Sequence, residues 1–351
     1  MTSEQVQPEL PRPQQRQRSR QVKPIRLQER DLDVFVSLSV ARYLSVYAIE
    51  WLHFNGWRGT GGWRERYKAF LEKRKSDPSA VYYPAPNIYH RLTALRAGPD
   101  PLVHRVARSV ERASVVYNRL PDAYTLTGAG ASLLCARRGY ELDDLWYEDP
   151  RRRSIKNFEH SVSIGTFYAA LRAALEFSGQ QLADWCGDHL LMSRDMERGG
   201  PNYDRIVVPG LKGEQAVLPD ATFTLAEQRY FVEIDMGTTN LRSWGEKVRA
   251  YEAYRQSSRL QARYGVGTFM VLIVAPTEVR LRRIADEVLR VTRHPTSSYL
   301  FLTADRVHPT TIRPSWKVVQ TFEWERRKVV DRLVELPSSV VFATHPLWKN
   351  P

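Results

Sequence analysis

Three carboxylates stand in the second half of the sequence at a spacing that can do chemistry: Asp220, directly after Pro219, then Glu233 and Asp235 on either side of Ile234. Side chains two apart on a strand share a face, so Glu233 and Asp235 are expected to point the same way, with Asp220 reaching them from the adjacent strand. A hard divalent ion is held by a few carboxylates, with its remaining positions left to water and phosphate oxygens, which is the arrangement phosphodiester hydrolysis uses. The spacing therefore predicts a magnesium site, with manganese as the alternative ion, on Asp220, Glu233 and Asp235. Lys247 follows on a helix, at i, i+4, i+7 with Tyr251 and Tyr254, where it can lean over the site and offset charge in a transition state. The plainer reading is a solvated strand end beside a Pro-Asp turn. Clustering like charges at the flank of a buried sheet without a metal or partner is costly, which favours the site.

A second group of residues suits nucleic acid. The segment from Pro86 to Gly98 has an inward stripe of Ile88, Leu92 and Leu95, a capping Asn87 and a stop at Gly98-Pro99. Asn87, Tyr89, His90, Arg91 and Arg96 lie on the remaining face and combine base-edge readers with phosphate-binding groups, the mixture a helix in a major groove requires. Arg105, Arg108 and Arg112 then fall between two β-like runs, Leu102 to Val106 and Val115 to Tyr117, as the basic loop of a hairpin. Ordinary packing helices with solvated charges are the alternative for this region.

Composition narrows the classes. The 351 residues carry 52 Lys and Arg against 39 Asp and Glu, a formal charge of +13, which fits a polyanionic partner, DNA before RNA, better than a neutral small substrate. No run approaches the roughly 18 apolar residues of a membrane span, and the basic start lacks the apolar core of a signal peptide, so no membrane association and a cytoplasmic location are expected. Cys135 and Cys186 form neither a disulfide framework nor a C-x-x-C pair, which excludes a zinc finger. None of the eight histidines forms His-x-His, and there is no Gly-Lys-Ser/Thr phosphate loop and no Gly-x-Ser-x-Gly elbow. His160 is single and near a helix start, where a structural or capping role competes evenly with a catalytic one.

The elements that must position these residues fall into five stretches. Residues 1–26 read as a disordered basic arm rich in Pro, Gln and Arg. Residues 27–145 contain helices beginning near Asp31, at Tyr43 and at Trp63, then the Pro86 segment, the hairpin and a last short helix after Thr127. A charged, proline-containing linker is expected over 146–157. From Phe158 to 310 the pattern runs helix, three strands, helix, strand, the alternation of an α/β sheet domain. Residues 311–351 form a C-terminal extension with a helix expected over Trp324 to Leu336. The predicted class is therefore mixed, α+β followed by α/β.

Helices, a recognition-like helix and a basic hairpin in that order resemble a winged helix-turn-helix, with about 30 residues, including an extra basic helix, where the usual connection has 3–4. Pro219-Asp220 followed by Glu233-Ile234-Asp235 on an αβββαβ pattern resembles the PD-(D/E)xK nuclease superfamily, the restriction-endonuclease-like fold. More narrowly, the two together, with Glu159-His160 at the head of the first helix and Glu233-Ile234-Asp235-Met236-Gly237-Thr238 ahead of Lys247 and Tyr251, resemble the replication-relaxation family of bacterial plasmids and mobile elements, over roughly residues 27–305. The resemblance implies that Asp220 and Glu233 are the metal ligands, Glu159 an auxiliary acid and double-stranded DNA the partner, alongside proteins of the mobile element. Asp235 stands where the superfamily has its catalytic lysine, and Lys247 is the natural replacement. A non-enzymatic regulator or initiator with a degenerate nuclease fold is the alternative, and a homodimer is compatible with reading paired half-sites.

Overall fold

The computed structural model describes residues 25–54, 62–106, 122–148, 158–193, 200–292 and 298–312, and the backbone of 317–322 and 330–335. Helix α1 (Glu29–Ala41) begins one turn before the expected cap: Gln28 is the N-cap, and Asp31, three residues in, accepts its backbone N–H at 2.7 Å. A two-residue strand β1 (Leu44–Ser45) leads into α2 (Val46–His53), capped by the Ser45 hydroxyl, which accepts from the Ala48 N–H. Then come α3 (Trp63–Ser76), the inserted basic helix, and α4 (Pro86–Leu95). Ala85, not Asn87, caps α4. Pro86 occupies its first turn, where a missing N–H is harmless and a preset φ helps.

Strand β2 (Val103–Val106) pairs antiparallel with β3 (Ala123–Leu126), which also pairs with β1, giving a three-stranded sheet in the order β1-β3-β2. The second hairpin strand expected at Val115 to Tyr117 lies outside the described residues, as do Arg108 and Arg112. The strand that β2 uses, β3, lies directly before the short helix expected after Thr127. Its four residues are all buried between neighbours on both edges, so no period-2 alternation marks it. Helix α5 (Gly128–Arg138) follows, capped by Thr127.

Helix α6 (Phe158–Glu176) opens the second half, followed by β4 (Ala183–Gly187), the short α7 (Asp188–Leu191) and the hairpin β5 (Asp204–Val207) and β6 (Glu214–Val217). Strands β7 (Ala221–Leu225) and β8 (Gln228–Ile234) turn through Ala226 and Glu227, both at positive φ, as a two-residue hairpin requires. Helices α8 (Leu241–Arg255) and α9 (Ser258–Tyr264), β9 (Phe269–Ala275), α10 (Glu278–Thr292) and β10 (Tyr299–Thr303) complete the core. Lys317–Phe322 and Val330–Glu335 are strands β11 and β12, paired antiparallel. The helix expected over Trp324 to Leu336 is thus corrected for residues 330–335, where a Val-rich run favours an extended chain.

Among the described residues the large sheet has the order β12-β11-β10-β9-β8-β7-β4, with β8, β9 and β10 parallel and the remaining pairs antiparallel. Alternation along β8 and β9 divides their side chains between two cores. Val232, Ile234, Leu272 and Val274 pack with Phe167 and Leu171 of α6, and this cluster runs on into Phe35, Leu38 and Ile49 of the first half. Phe231, Val271 and Ile273 pack with Val248 and Tyr251 of α8 and Ile284 of α10. A close approach joins the halves at Gly165, where a Cβ would sit 1.9 Å from the Tyr43 carbonyl oxygen. The molecule is a mixed α+β protein.

Candidate active site

The register of β4, β7 and β8 puts acidic residues side by side at one end of the sheet. Gly187 pairs with Ala221, and Ala221 with Val232. Asp188 therefore follows the last residue of β4, Asp220 precedes the first of β7, and Glu233 stands one residue past the same line on β8. Asp220 is anchored through its backbone N–H to the Val232 carbonyl at 2.9 Å, and its Oδ2 accepts the Ile234 N–H at 2.6 Å. From α6, His160 brings Nε2 to 3.1 Å from the same Oδ2 and 3.1 Å from the Ile234 carbonyl oxygen.

Glu233 lies on the α8 side of the sheet and is almost fully buried. Lys247 donates to its Oε2 at 2.5 Å, and Tyr251 donates to its Oε1. The helical face predicted for Lys247 and Tyr251 is the one that meets the strand. Tyr254, on the same helix, instead donates to Asp204 at 2.5 Å. The Lys247 side chain keeps 40% of its surface open.

Charge and burial set the protonation states. Burial pushes the Glu233 carboxyl up, to about 7, with the nearby Asp220 charge adding to the rise and Lys247 and Tyr251 opposing it. Burial also acts to raise Asp220, but His160, Lys247 and the Ile234 N–H outweigh it and hold this carboxyl below its ordinary value. For His160 burial acts downward, and Asp220, Asp188 and Glu233 together raise it. Burial pulls Lys247 down, yet Glu233, Asp220 and Asp235 pull it up further, so it stays charged. Two neighbouring carboxyls pushed in opposite directions are a pattern found where proton chemistry is done.

Asp235 shares the strand face with Glu233 but not its partners. Arg280 of α10 grips it with Nε to Oδ2 at 2.7 Å and a terminal nitrogen to Oδ1 at 3.1 Å, while Trp244 and the Gly237 N–H complete its shell. Both carboxylate oxygens are thus engaged by protein donors. Glu159 sits half-buried in the first turn of α6, and its neighbour His160 is the residue that contacts the site. Among the described residues no group of three or more His, Cys, Asp or Glu side chains is arranged to hold a metal ion.

Sequence reading missed Arg280 and Asp188 and left His160 undecided. The signal for Arg280 was its place two residues into a helix that follows a parallel strand, where it can meet the end of the neighbouring strand. Asp188 was hidden because β4 was not recognised: Ala183 to Gly187 has a register shift and no alternation.

In the first half, α4 buries Ile88, Leu92 and Leu95 and exposes His90, Thr93 and Arg96, while Asn87 and Tyr89 are half-buried. Arg91 is drawn inward: its Nε donates to Asp31 at 2.8 Å, and a terminal nitrogen donates to the Arg26 carbonyl at 2.9 Å. Arg105 is exposed and pairs with Asp122 at 2.7 Å. Among the described residues no helix is long and apolar enough to cross a membrane.

No curated protein and no solved structure compared with the chain gives a match. A family model does: replication-relaxation, over residues 73–270, more than half of the chain and a span that includes α4, Asp220, Glu233 and Lys247. The chain belongs to the replication-relaxation family.

Proposed function

We propose that this protein binds double-stranded DNA of a plasmid or other mobile element and nicks or cleaves it at the Asp220, Glu233 and Lys247 cluster. Family membership supports a role in the replication or transfer of such an element. Residues 27–145 read DNA as a winged helix, supported by the order helix, strand, three further helices and hairpin on a three-stranded sheet. Residues 158–310 act on it as a PD-(D/E)xK-like core, supported by helix α6, the antiparallel strands β4, β7 and β8, helix α8 and the parallel strand β9.

The observation that carries the reading is Lys247 at 2.5 Å from a buried Glu233, itself coupled to Asp220. A lysine absent from position 235 of the strand is supplied by the neighbouring helix. Magnesium commonly uses only one or two carboxylates, and Asp220 with Glu233 fits such a site, because a cation would offset the burial and the Asp220 charge that together hold Glu233 up. Asp235, saturated by Arg280, takes no part. Bound there, the ion would supply a water of lowered pKa and a polarised phosphate. The chain's own groups do the rest: His160 orients Asp220, Tyr251 orients Glu233, and the partly open Lys247 side chain offsets charge gathering on the phosphate.

The test is incubation of supercoiled plasmid with the protein in magnesium, manganese or EDTA. Metal-dependent relaxed or linear product is expected, falling at least about a hundredfold in Asp220→Ala while gel-shift binding holds near wild type. Loss of cutting and binding together would mean that the carboxylates support the fold. A second reading, a regulator or initiator with a retired nuclease core, is favoured by the Asp235–Arg280 pair in place of a strand lysine. DNA binding with no cutting under any metal would select it.

A further inference from the structure

The connection from α3 to α4 is built to hold two side chains outward. Asp77 accepts from the Ser79 N–H at 3.1 Å and from its hydroxyl at 2.5 Å, closing a local turn. Further on, Tyr82 turns inward and donates to Oε2 of the buried Glu50 at 2.8 Å, while the Tyr47 hydroxyl donates to the Tyr82 carbonyl at 3.0 Å. The Ala85 N–H is fixed on Glu50 Oε1 at 3.0 Å. With the chain pinned at 82 and 85, the alternate positions Val81 and Tyr83 project into solvent, 59% and 70% exposed. Tyr83 is the most exposed large hydrophobic side chain among the described residues.

Basic and aromatic side chains flank it along the chain. Lys73 and Arg74 are exposed in the last turn of α3 ahead of it, and His90 and Arg96 are exposed on α4 after it. The half-buried Tyr89 lies close enough to feel both Tyr83 and Arg105, and of the carboxylates that act on Tyr89, Asp122 is engaged by Arg105 and Glu50 by Arg66 and Tyr82. An exposed aromatic face on a pinned backbone, with a second tyrosine and Arg105 close by, matches an unstacked nucleobase with its flanking phosphates. Paired duplex offers only base edges in its grooves, so a ring face gains nothing there unless a base leaves the stack.

We propose that Tyr83 is a stacking platform for an unpaired base, so that the protein prefers DNA with a melted step over the same sequence fully paired. This rests on the DNA-binding reading above and adds a structural preference to it.

The experiment compares the full-length protein on a labelled duplex and on the same duplex with a short central bubble carrying a fluorescent adenine analogue. Wild type is expected to bind the bubble about tenfold more tightly and to quench the analogue, as one aromatic–base stack would produce. Tyr83→Ala should lose that preference and the quenching while binding the duplex as before, and Tyr83→Trp should keep both. Because the side chain is largely outside the core, neither variant threatens the fold. Equal affinity of wild type for the two DNAs, or a Tyr83→Ala effect of the same size on both, would overturn the platform and leave DNA binding standing. Binding to neither DNA would overturn the DNA-binding reading and the platform with it.

Discussion

Buried carboxylates occur in both halves of the molecule, and they are treated differently. In the first half, Asp31 is met by the Gln28 N–H and by both donor groups of Arg91, and Glu50 by Arg66, the Tyr82 hydroxyl and the Ala85 N–H. Each acid has a dedicated arginine and lies alone. At the sheet end, Asp220 and Glu233 lie close enough to repel, their counter-charges are a histidine and a partly open lysine, and their proton affinities are driven apart. An acid paired alone with an arginine needs no further cation, whereas two neighbouring carboxylates that share a histidine and a partly open lysine form an arrangement suited to proton or metal chemistry. Asp235, gripped by Arg280 two residues from Glu233, belongs with the first kind.

The contrast can be broken most directly at Lys247. Lys247→Ala is expected to slow nicking by about a hundredfold. It should also move the acid limb of the pH–rate profile upward, since removing the ammonium removes the attraction that holds Glu233 down. An unchanged profile would place Lys247 outside the site. At Glu50 the expected effect is on stability, with the pH–rate profile of nicking unchanged: Glu50→Ala removes the carboxylate shared by Arg66, the Tyr82 hydroxyl and the Ala85 N–H and should lose about 3 kcal/mol in chemical denaturation.

Glu233→Gln should do the opposite at high pH. A carboxyl raised to about 7 when folded binds its proton more tightly in the native state than in the unfolded chain. The stability it lends is present below about 4.3, the unfolded value, and lost as pH rises through 7. The amide escapes that loss, so its melting temperature should exceed wild type at pH 8, with the gain shrinking toward pH 4. A Glu233→Gln protein less stable than wild type at pH 8 would mark Glu233 as structural.

The smallest effect is expected at His308. Its ring stacks on Tyr67 at 3.8 Å and meets Trp51 and Trp63 edge-on at 5.1 and 5.6 Å, so burial pushes its pKa down to about 3. Stability from this group is complete above the unfolded value, near 6.5, and falls as pH drops from there toward 3. His308→Phe keeps the aromatic packing without the titration and should flatten the decline between pH 6.5 and 4 in thermal melts. His53, also pushed down to about 3, would account for the slope that remains.

Periodicity carried most of the local structure. The stripe Ile88, Leu92 and Leu95 identified α4, apolar runs identified β8, β9 and β10, and the i, i+4 step from Lys247 to Tyr251 identified the face that meets Glu233. These signals are local, because they arise from which side of one element is buried. Strands β3 and β4 escaped for the complementary reason: β3 is buried throughout, β4 is irregular, and neither alternates.

What the sequence by itself determined about this protein is its family, its basic charge, most of its helices and core strands, and the helix face that carries Lys247 and Tyr251. What only the tertiary structure decided is which carboxylates work together. Glu233 and Asp235 are the same kind of group on the same face of one strand, and their local spacing does not say which donors each will meet. Their fates were set by what α8 and α10 brought from elsewhere in the chain, a lysine for one and a bidentate arginine for the other. A carboxylate's chemistry depends on the charges and donors within a few ångströms, and those neighbours are chosen by packing, not by proximity along the chain.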